Sequence, residues 1–409
     1  MKAMLRSGSS GRTGFFGLLL CLAGLGAAAA ALPPEEEKLA SANSGFAFAL
    51  LKQIVKEQPG TNIFISPYSA GTVLKMIGNG AAGKTKEEME HVLGTSGMTA
   101  QSLNRACKEM DESVRSAQSN VVLTLANSIW YRPGVELRPE FASVNQDFYG
   151  ATLSALDFTD PRSAGAMNRW AEEATQGRIK TIIEPPIPGS FQVFLANAIY
   201  FKGTWLLQFD QKQTSERPFY LSGGGQKPAP MMRQKARFSY QGASGFQAVR
   251  LPYAGDRLGM YVLLPATNSS IEKLLLGLDG RAWQANVLPK FEQREGTLVL
   301  PRFKLEYGVQ LKKPLQALGL RLAFERDADF SAMSATPLFL DEVKQKAFVE
   351  VSEEGTEAAA VTLGGIRMTA VRETQKPFEM VADRPFLFVI EDSQTKAILF
   401  VGAMFEPAL

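Results

Sequence analysis

The 409 residues are 45% hydrophobic and 21% charged, a globular composition that excludes disorder as the overall state of the chain. A lone histidine, His91, excludes multi-histidine metal sites and leaves a Ser-His-Asp triad a single candidate base. The two cysteines, Cys21 and Cys107, exclude a disulfide framework and a cysteine-rich zinc site.

In chain order, residues 1–31 read as a secretory signal. Lys2, Arg6 and Arg12 precede a short apolar run over 15–25, and the alanines at 27–31 offer small-residue cleavage sites. The run falls short of the roughly 20 apolar residues that a spanning helix needs. The segment holds three of the 44 basic residues and none of the 41 acidic ones, so the remainder carries 41 of each. A neutral remainder gives no electrostatic ground for a nucleic-acid partner. Cleavage removes Cys21 and leaves Cys107 alone, expected as a buried, small apolar residue. The expectation is a secreted, extracellular protein (periplasmic if the source is Gram-negative), free of the membrane after cleavage, with one domain over 32–409.

Apolar spacing predicts helices over 41–57, 66–77, 85–93, 102–115 and 166–175, and a short strand at 62–65. Residues 121–131 and 191–201 are long, nearly continuous apolar runs, predicted as strands; the first looks too apolar for a wet face and is expected at a sheet centre. After residue 215 the pattern turns β-rich. Strands are predicted near 247–252, 258–265, 296–305, 343–351, 386–391 and 397–404, with helices near 270–278 and 308–318. Helices first and strands later favour an α+β class.

One stretch breaks this rhythm. Residues 353–375, EEGTEAAAVTLGGIRMTAVRETQ, have no proline and are rich in small side chains. Structureless loops beyond about 12–15 residues are uncommon and usually functional or disordered. Such a segment is expected to be a good protease substrate.

GNGAAGKT (78–85) formally matches a phosphate-binding loop, in which Lys84 would reach phosphate oxygens and Thr85 would bind magnesium, with FLFVIED (386–392) supplying an acid. That motif needs a buried strand before it, and residues 69–77 read better as helix. The alternative of a nucleotide-hydrolysing enzyme using Gly78 to Thr85 rests on this match alone. No GxSxG elbow occurs. Paired carboxylates such as Glu353-Glu354 and Glu172-Glu173 read as solvated faces, and the cations of 102–115 are interleaved with acids, so no polyanion site is expected.

Several segments together resemble the serpin family, in the family's order and over about residues 40–407. They are NIFISPYSAGTVLKMIGNGAAGKT (62–85), MNRWAEEATQGRI (167–179), NAIYFKGTW (197–205), LPRFKLEY (300–307), VEVSEEGTEAAA (349–360) and ADRPFLFVI (382–390). The first of these absorbs the phosphate-loop match. The resemblance implies an α+β fold, one serpin-like unit with three β-sheets, about eight or nine helices and an exposed reactive loop at about 353–377. It implies no enzyme and no cofactor. It implies instead a monomeric suicide inhibitor whose cleaved loop enters the main sheet as a new strand, trapping a serine protease, elastase-like or chymotrypsin-like, or a cysteine protease. A non-inhibitory serpin acting as carrier, chaperone or store is the second reading.

Side chains alternate faces along a strand. With Gly355 as hinge, Thr356, Ala358, Ala360 and Thr362 would point into the core, and all are small and uncharged. Glu353, Glu354, Glu357 and Ala359 complete the hinge region. A gain of about a dozen ladder bonds, at about 1 kcal/mol each, would come to the order of 10 kcal/mol, as much as a whole domain's stability.

By resemblance, Ser66, Ser69 and Asn197 lie where the sheet opens, Trp205 at the insertion point, and Arg302 pairs with Glu353 at the loop base. Gln345 stands where the family usually has histidine. The scissile bond by the family's count from Glu353 is Thr369-Ala370; a loop one shorter gives Met368, and Arg367 or Arg372 would suit a trypsin-like protease.

Overall fold

The computed structural model describes residues 32–117, 121–356 and 376–408. Residues 1–31, read from sequence as a signal, lie outside these residues. In chain order the strands are β1 (Ile63–Ile65), β2 (Val121–Tyr131), β3 (Thr152–Ala155), β4 (Val193–Thr204) and β5 (Ser215–Tyr220). They continue with β6 (Gln226–Gly242), β7 (Phe246–Pro252), β8 (Leu258–Pro265), β9 (Glu292–Pro301) and β10 (Phe303–Gln310). The last are β11 (Glu342–Val351), β12 (Gly355–Thr356), β13 (Phe378–Val381), β14 (Phe386–Asp392) and β15 (Ile398–Met404).

The main sheet has six strands in the order β10-β11-β12-β4-β2-β3. β4 is buried along nearly its whole length, as its apolar run predicts. β2 differs from expectation. It pairs with β4 along its full length but with β3 only from Ser128 to Tyr131, so it lies next to the edge. Its first half keeps a partly open face, with Val122 37% exposed.

The other nine described strands form one network, β1-β15-β14-β8-β7-β6-β9-β13, with β5 on β6. Of the three sheets expected, two are thus joined through β6, the longest described strand. Its first part pairs with β5, its last part with β7, and β9 runs along most of it.

Helices wrap this frame. Helix α1 (Pro34–Glu57) starts earlier than its apolar stripe suggests, with Glu35, Glu36 and Glu37 favourably placed in its first turn. Helix α2 (Pro67–Gly78) is capped by Ser66, whose Oγ accepts from the Ser69 amide, with Pro67 in its first turn. Helix α3 (Gly83–Leu93) ends on Gly94 at φ 66°. Helices α4 (Ala100–Ser116), α5 (Pro139–Tyr149) and α6 (Ser163–Ala174) follow, and short helices span Ile271–Leu276, Gly280–Ala282 and Lys312–Leu318. Among the described residues no helix is long and apolar enough to cross a membrane.

The core has three parts. One lies among α1, α2 and the backs of both sheets, and one between the sheets. The third packs α6 (Met167, Ala171) on Phe194, Ala196 and Ala198, the β4 side chains of the opposite face. A register shift at Ile390/Glu391 in the β14–β15 pairing accompanies an acid buried in this frame. Glu391 Oε2 accepts from the Trp283 indole, while Oε1 has no partner among the described residues. Burial pushes this carboxyl from its ordinary 4.5 up to about 7; Trp283, Lys396 and Arg250 oppose the rise and Asp392 adds to it.

The folded protein therefore retains a proton that the unfolded chain releases, so stability falls as pH rises from 4.5 to about 7. The full effect is about 3 kcal/mol. Glu391→Gln is expected to flatten this dependence and to raise the urea midpoint above pH 7. Parallel pH profiles for both proteins would refute the assignment.

Candidate functional site

The resemblance points to the boundary between β4 and β11. These strands run parallel and pair from Glu342↔Phe194 to Phe348↔Tyr200. Where they end, β12 sits between them, antiparallel to both: Thr356 pairs with Val351 and with Gly203, and Gly355 with Thr204. Gly355 and Thr356 are thus a buried first rung of a strand inside the main sheet.

That rung needs two glycines. A Cβ on Gly355 would lie 2.1 Å from the Gly203 carbonyl oxygen, and one on Gly203 would lie 2.7 Å from the Tyr253 ring. Trp205 is buried and anchors the turn that leads into the rung: its indole donates to the Ser352 carbonyl and its amide to the Glu354 carbonyl, each at 2.9 Å. The Phe209 amide donates to the Glu353 carbonyl, also at 2.9 Å.

Glu353 and Arg302 meet at 2.5 Å, and Thr214 donates its hydroxyl to the same carboxylate at 2.6 Å. Burial alone would raise the Glu353 pKa. The Arg302 and Thr214 hydrogen bonds outweigh it and hold the carboxyl below the usual range.

Further along the same boundary, Gln345 and Asn197 face each other in register. Gln345 Nε2 donates to Asn197 Oδ1 and to the Ser66 carbonyl, each at 2.9 Å. Its Oε1 accepts from the Ser66 amide at 2.8 Å. One side-chain amide thus satisfies both backbone groups of the residue capping α2. Asn197 donates to Ser69 Oγ and, at 2.6 Å, to Asn127 Oδ1. The structure therefore brings Ser66, Ser69, Asn197 and Gln345 into one buried network, and gathers Trp205, Arg302, Glu353, Glu354, Gly355 and Thr356 at the rung.

Glu357, Ala358, Ala359, Ala360 and Thr362 lie outside the described residues, as do Arg367, Met368, Thr369, Ala370 and Arg372. Three contributors were missed from sequence: Asn127, Thr214 and Tyr253. Each reaches the site by long-range packing, with no local motif to mark it.

The phosphate-loop match is formal only, and helix, turn and helix stand there as the sequence reading preferred. Gly78 ends helix α2, so no strand precedes the motif. The Thr85 hydroxyl accepts from the Asp329 amide at 2.9 Å, and Gly80 lies against Phe141 and Met333 with no room for a Cβ. Asp392, the supposed metal-side acid, is bound to Arg257 at 2.7 Å.

Gln345→Leu would leave the Ser66 amide and Asn197 Oδ1 buried without a partner, while the Ser66 carbonyl keeps the Ala70 amide. At about 1–3 kcal/mol per orphaned group, with some relaxation, a loss on the order of 3 kcal/mol is expected. A lowered urea midpoint of the uncut protein is the readout, and a midpoint within error of the parent would contradict the network's role.

Comparison with known proteins agrees with this geometry. Residues 41–407 match the family described as Serpin (serine protease inhibitor). Iripin-2 of Ixodes ricinus is 36% identical over 90% of this chain and 93% of its own. The leukocyte elastase inhibitor of Sus scrofa is 35% identical over 91% of this chain and 100% of its own. The crystal structure of a thermophilic serpin, tengpin, in the native state superposes with a TM-score of 0.83 at 27% identity, covering 93% of this chain and 96% of that one. The chain belongs to the serpins, a family of protease inhibitors rather than enzymes.

Proposed function

We propose that the chain is a secreted suicide-substrate inhibitor of a serine protease. The protease's serine oxygen attacks the carbonyl of the scissile bond, taken as Thr369-Ala370. The C–N bond breaks, the new amine departs with the C-terminal peptide, and the loop is left esterified to the enzyme. The loop then extends the strand begun at β12, and the attached protease is carried with it before water can cleave the ester.

The observation that carries this reading is the seated rung. Gly355 and Thr356 already lie between β11 and β4, antiparallel to both. The residues that would follow inward, Ala358, Ala360 and Thr362, are small and uncharged. Thr369 suits a protease that prefers small side chains, in line with the relative named as a leukocyte elastase inhibitor. The basic start and apolar run of residues 1–31 support export.

Incubation with elastase, chymotrypsin and trypsin in turn, followed by a denaturing gel and intact mass, tests the proposal. An SDS-stable complex is expected with elastase or chymotrypsin, and the mass of the released peptide gives the bond. Ala358→Arg should abolish the complex and leave clean cleavage, because a charge would have to be buried on insertion. Trapping by this variant at parental stoichiometry would sink the insertion mechanism. Cleavage without a complex and without a rise in melting temperature would favour the non-inhibitory reading.

A further inference from the structure

The seated rung has a partner outside the main sheet. Tyr253 follows β7 and is fully buried. Its hydroxyl lies 2.8 Å from Thr356 Oγ1. The ring is fixed from two sides. Trp205 stacks on it at 4.6 Å and 16°, and Phe201 meets it edge-on at 5.0 Å. The backbone is fixed as well, because the Tyr253 amide donates to the Leu258 carbonyl and the Ala254 amide to the Thr204 carbonyl. Gly203 has no side chain to separate the ring from the strand, and burial keeps the phenol protonated.

We propose that Tyr253 is a positioning residue for loop insertion: its hydroxyl holds Thr356 in the sheet of the uncut protein, so that the strand is already nucleated when the protease cuts. The proposal rests on the insertion mechanism above.

The physical reason lies in what an empty seat would cost. Among the described residues the Tyr253 hydroxyl has Thr356 as its one hydrogen-bond partner. If the rung withdrew, a buried phenol and a buried strand end would both lose their partners. The first rung of a strand is also the expensive one, since it must part β4 from β11 before later rungs gain anything. A hydroxyl at position 356 is therefore a specificity requirement: serine can replace threonine there and valine cannot, although valine has nearly the same shape.

Seating has two opposed effects on inhibition. A seated rung shortens the free loop and slows attack by the protease. It also speeds insertion after attack, so more of the acyl-enzyme is trapped. Loss of the hydroxyl pair should move these two quantities in opposite directions, which a general loss of stability would not do.

The test compares the parent with Tyr253→Phe, Thr356→Val, Thr356→Ser and the Tyr253→Phe/Thr356→Val double variant. Amide exchange of the peptide holding residues 355–356 is measured in uncut full-length protein, and the rate of loop cleavage and the trapped fraction are measured with elastase. Exchange is expected to accelerate about 5–30-fold in Tyr253→Phe and in Thr356→Val. The double variant should go no further than either single one, and Thr356→Ser should stay near the parent. With elastase, Tyr253→Phe, Thr356→Val and the double variant should be cut faster and trapped less, and Thr356→Ser should match the parent.

Unchanged exchange, an additive double variant, or faster exchange with an unchanged trapped fraction would each overturn the proposal. If neither the parent nor any variant traps the protease, the inhibitory reading fails separately, and exchange alone then decides whether Tyr253 holds the rung.

Discussion

The seam between β4 and β11 governs the rest of the site. It is a parallel ladder, whereas β4 with β2 and β11 with β10 are antiparallel. Parallel pairing is slightly weaker per residue and its bonds are slanted. The sheet therefore has its weak joint at the centre, where both strands are buried and neither can be moved cheaply. Side chains stiffen that joint at one point, Gln345 facing Asn197 across it, and β12 wedges it at another. A strand entering antiparallel would exchange one parallel ladder for two antiparallel ones. On the proposed mechanism the gain is in the ladders and the barrier is in parting the amides.

Elements with strong periodicity were legible from sequence. The apolar runs at β2 and β4, the Ser-Pro start of α2 and the late β-rich half stand where residue patterns put them. β6 was not legible. Pro228 and Pro230 break its start, and Arg233, Lys235 and Arg237 mark its outer face, so it reads as loop. The inward set Met232, Gln234, Phe238 and Tyr240 is visible only once β9 is known to lie alongside. The run over 296–305 proved to be two strands separated at Arg302, the residue that turns aside to meet Glu353.

Site residues divide in the same way. Those carried by contiguous motifs could be named from sequence. Tyr253, Thr214 and Asn127 could not, because each acts through a partner about 70 or more residues away. Gln345 shows what a departure from a family pattern can mean. Its amide offers both a donor and an acceptor to the Ser66 backbone and a further donor hydrogen to Asn197. A planar ring with one nitrogen on each side cannot match that set, so this chain ties the cap of α2 to the main sheet without a group that titrates near neutrality.

The aromatic stacking at the rung has an optical consequence. The chain has four tryptophans, and they fall in three separate environments. Trp130 and Trp170 meet edge-on between the main sheet and α6, Trp205 lies face to face with Tyr253, and Trp283 donates to Glu391. Movement of α6, departure of the rung and ionisation of the buried acid would each change the surroundings of a different indole. The native chain thus carries three built-in fluorophore sites, and single Trp→Phe replacements would separate their emission without any attached dye.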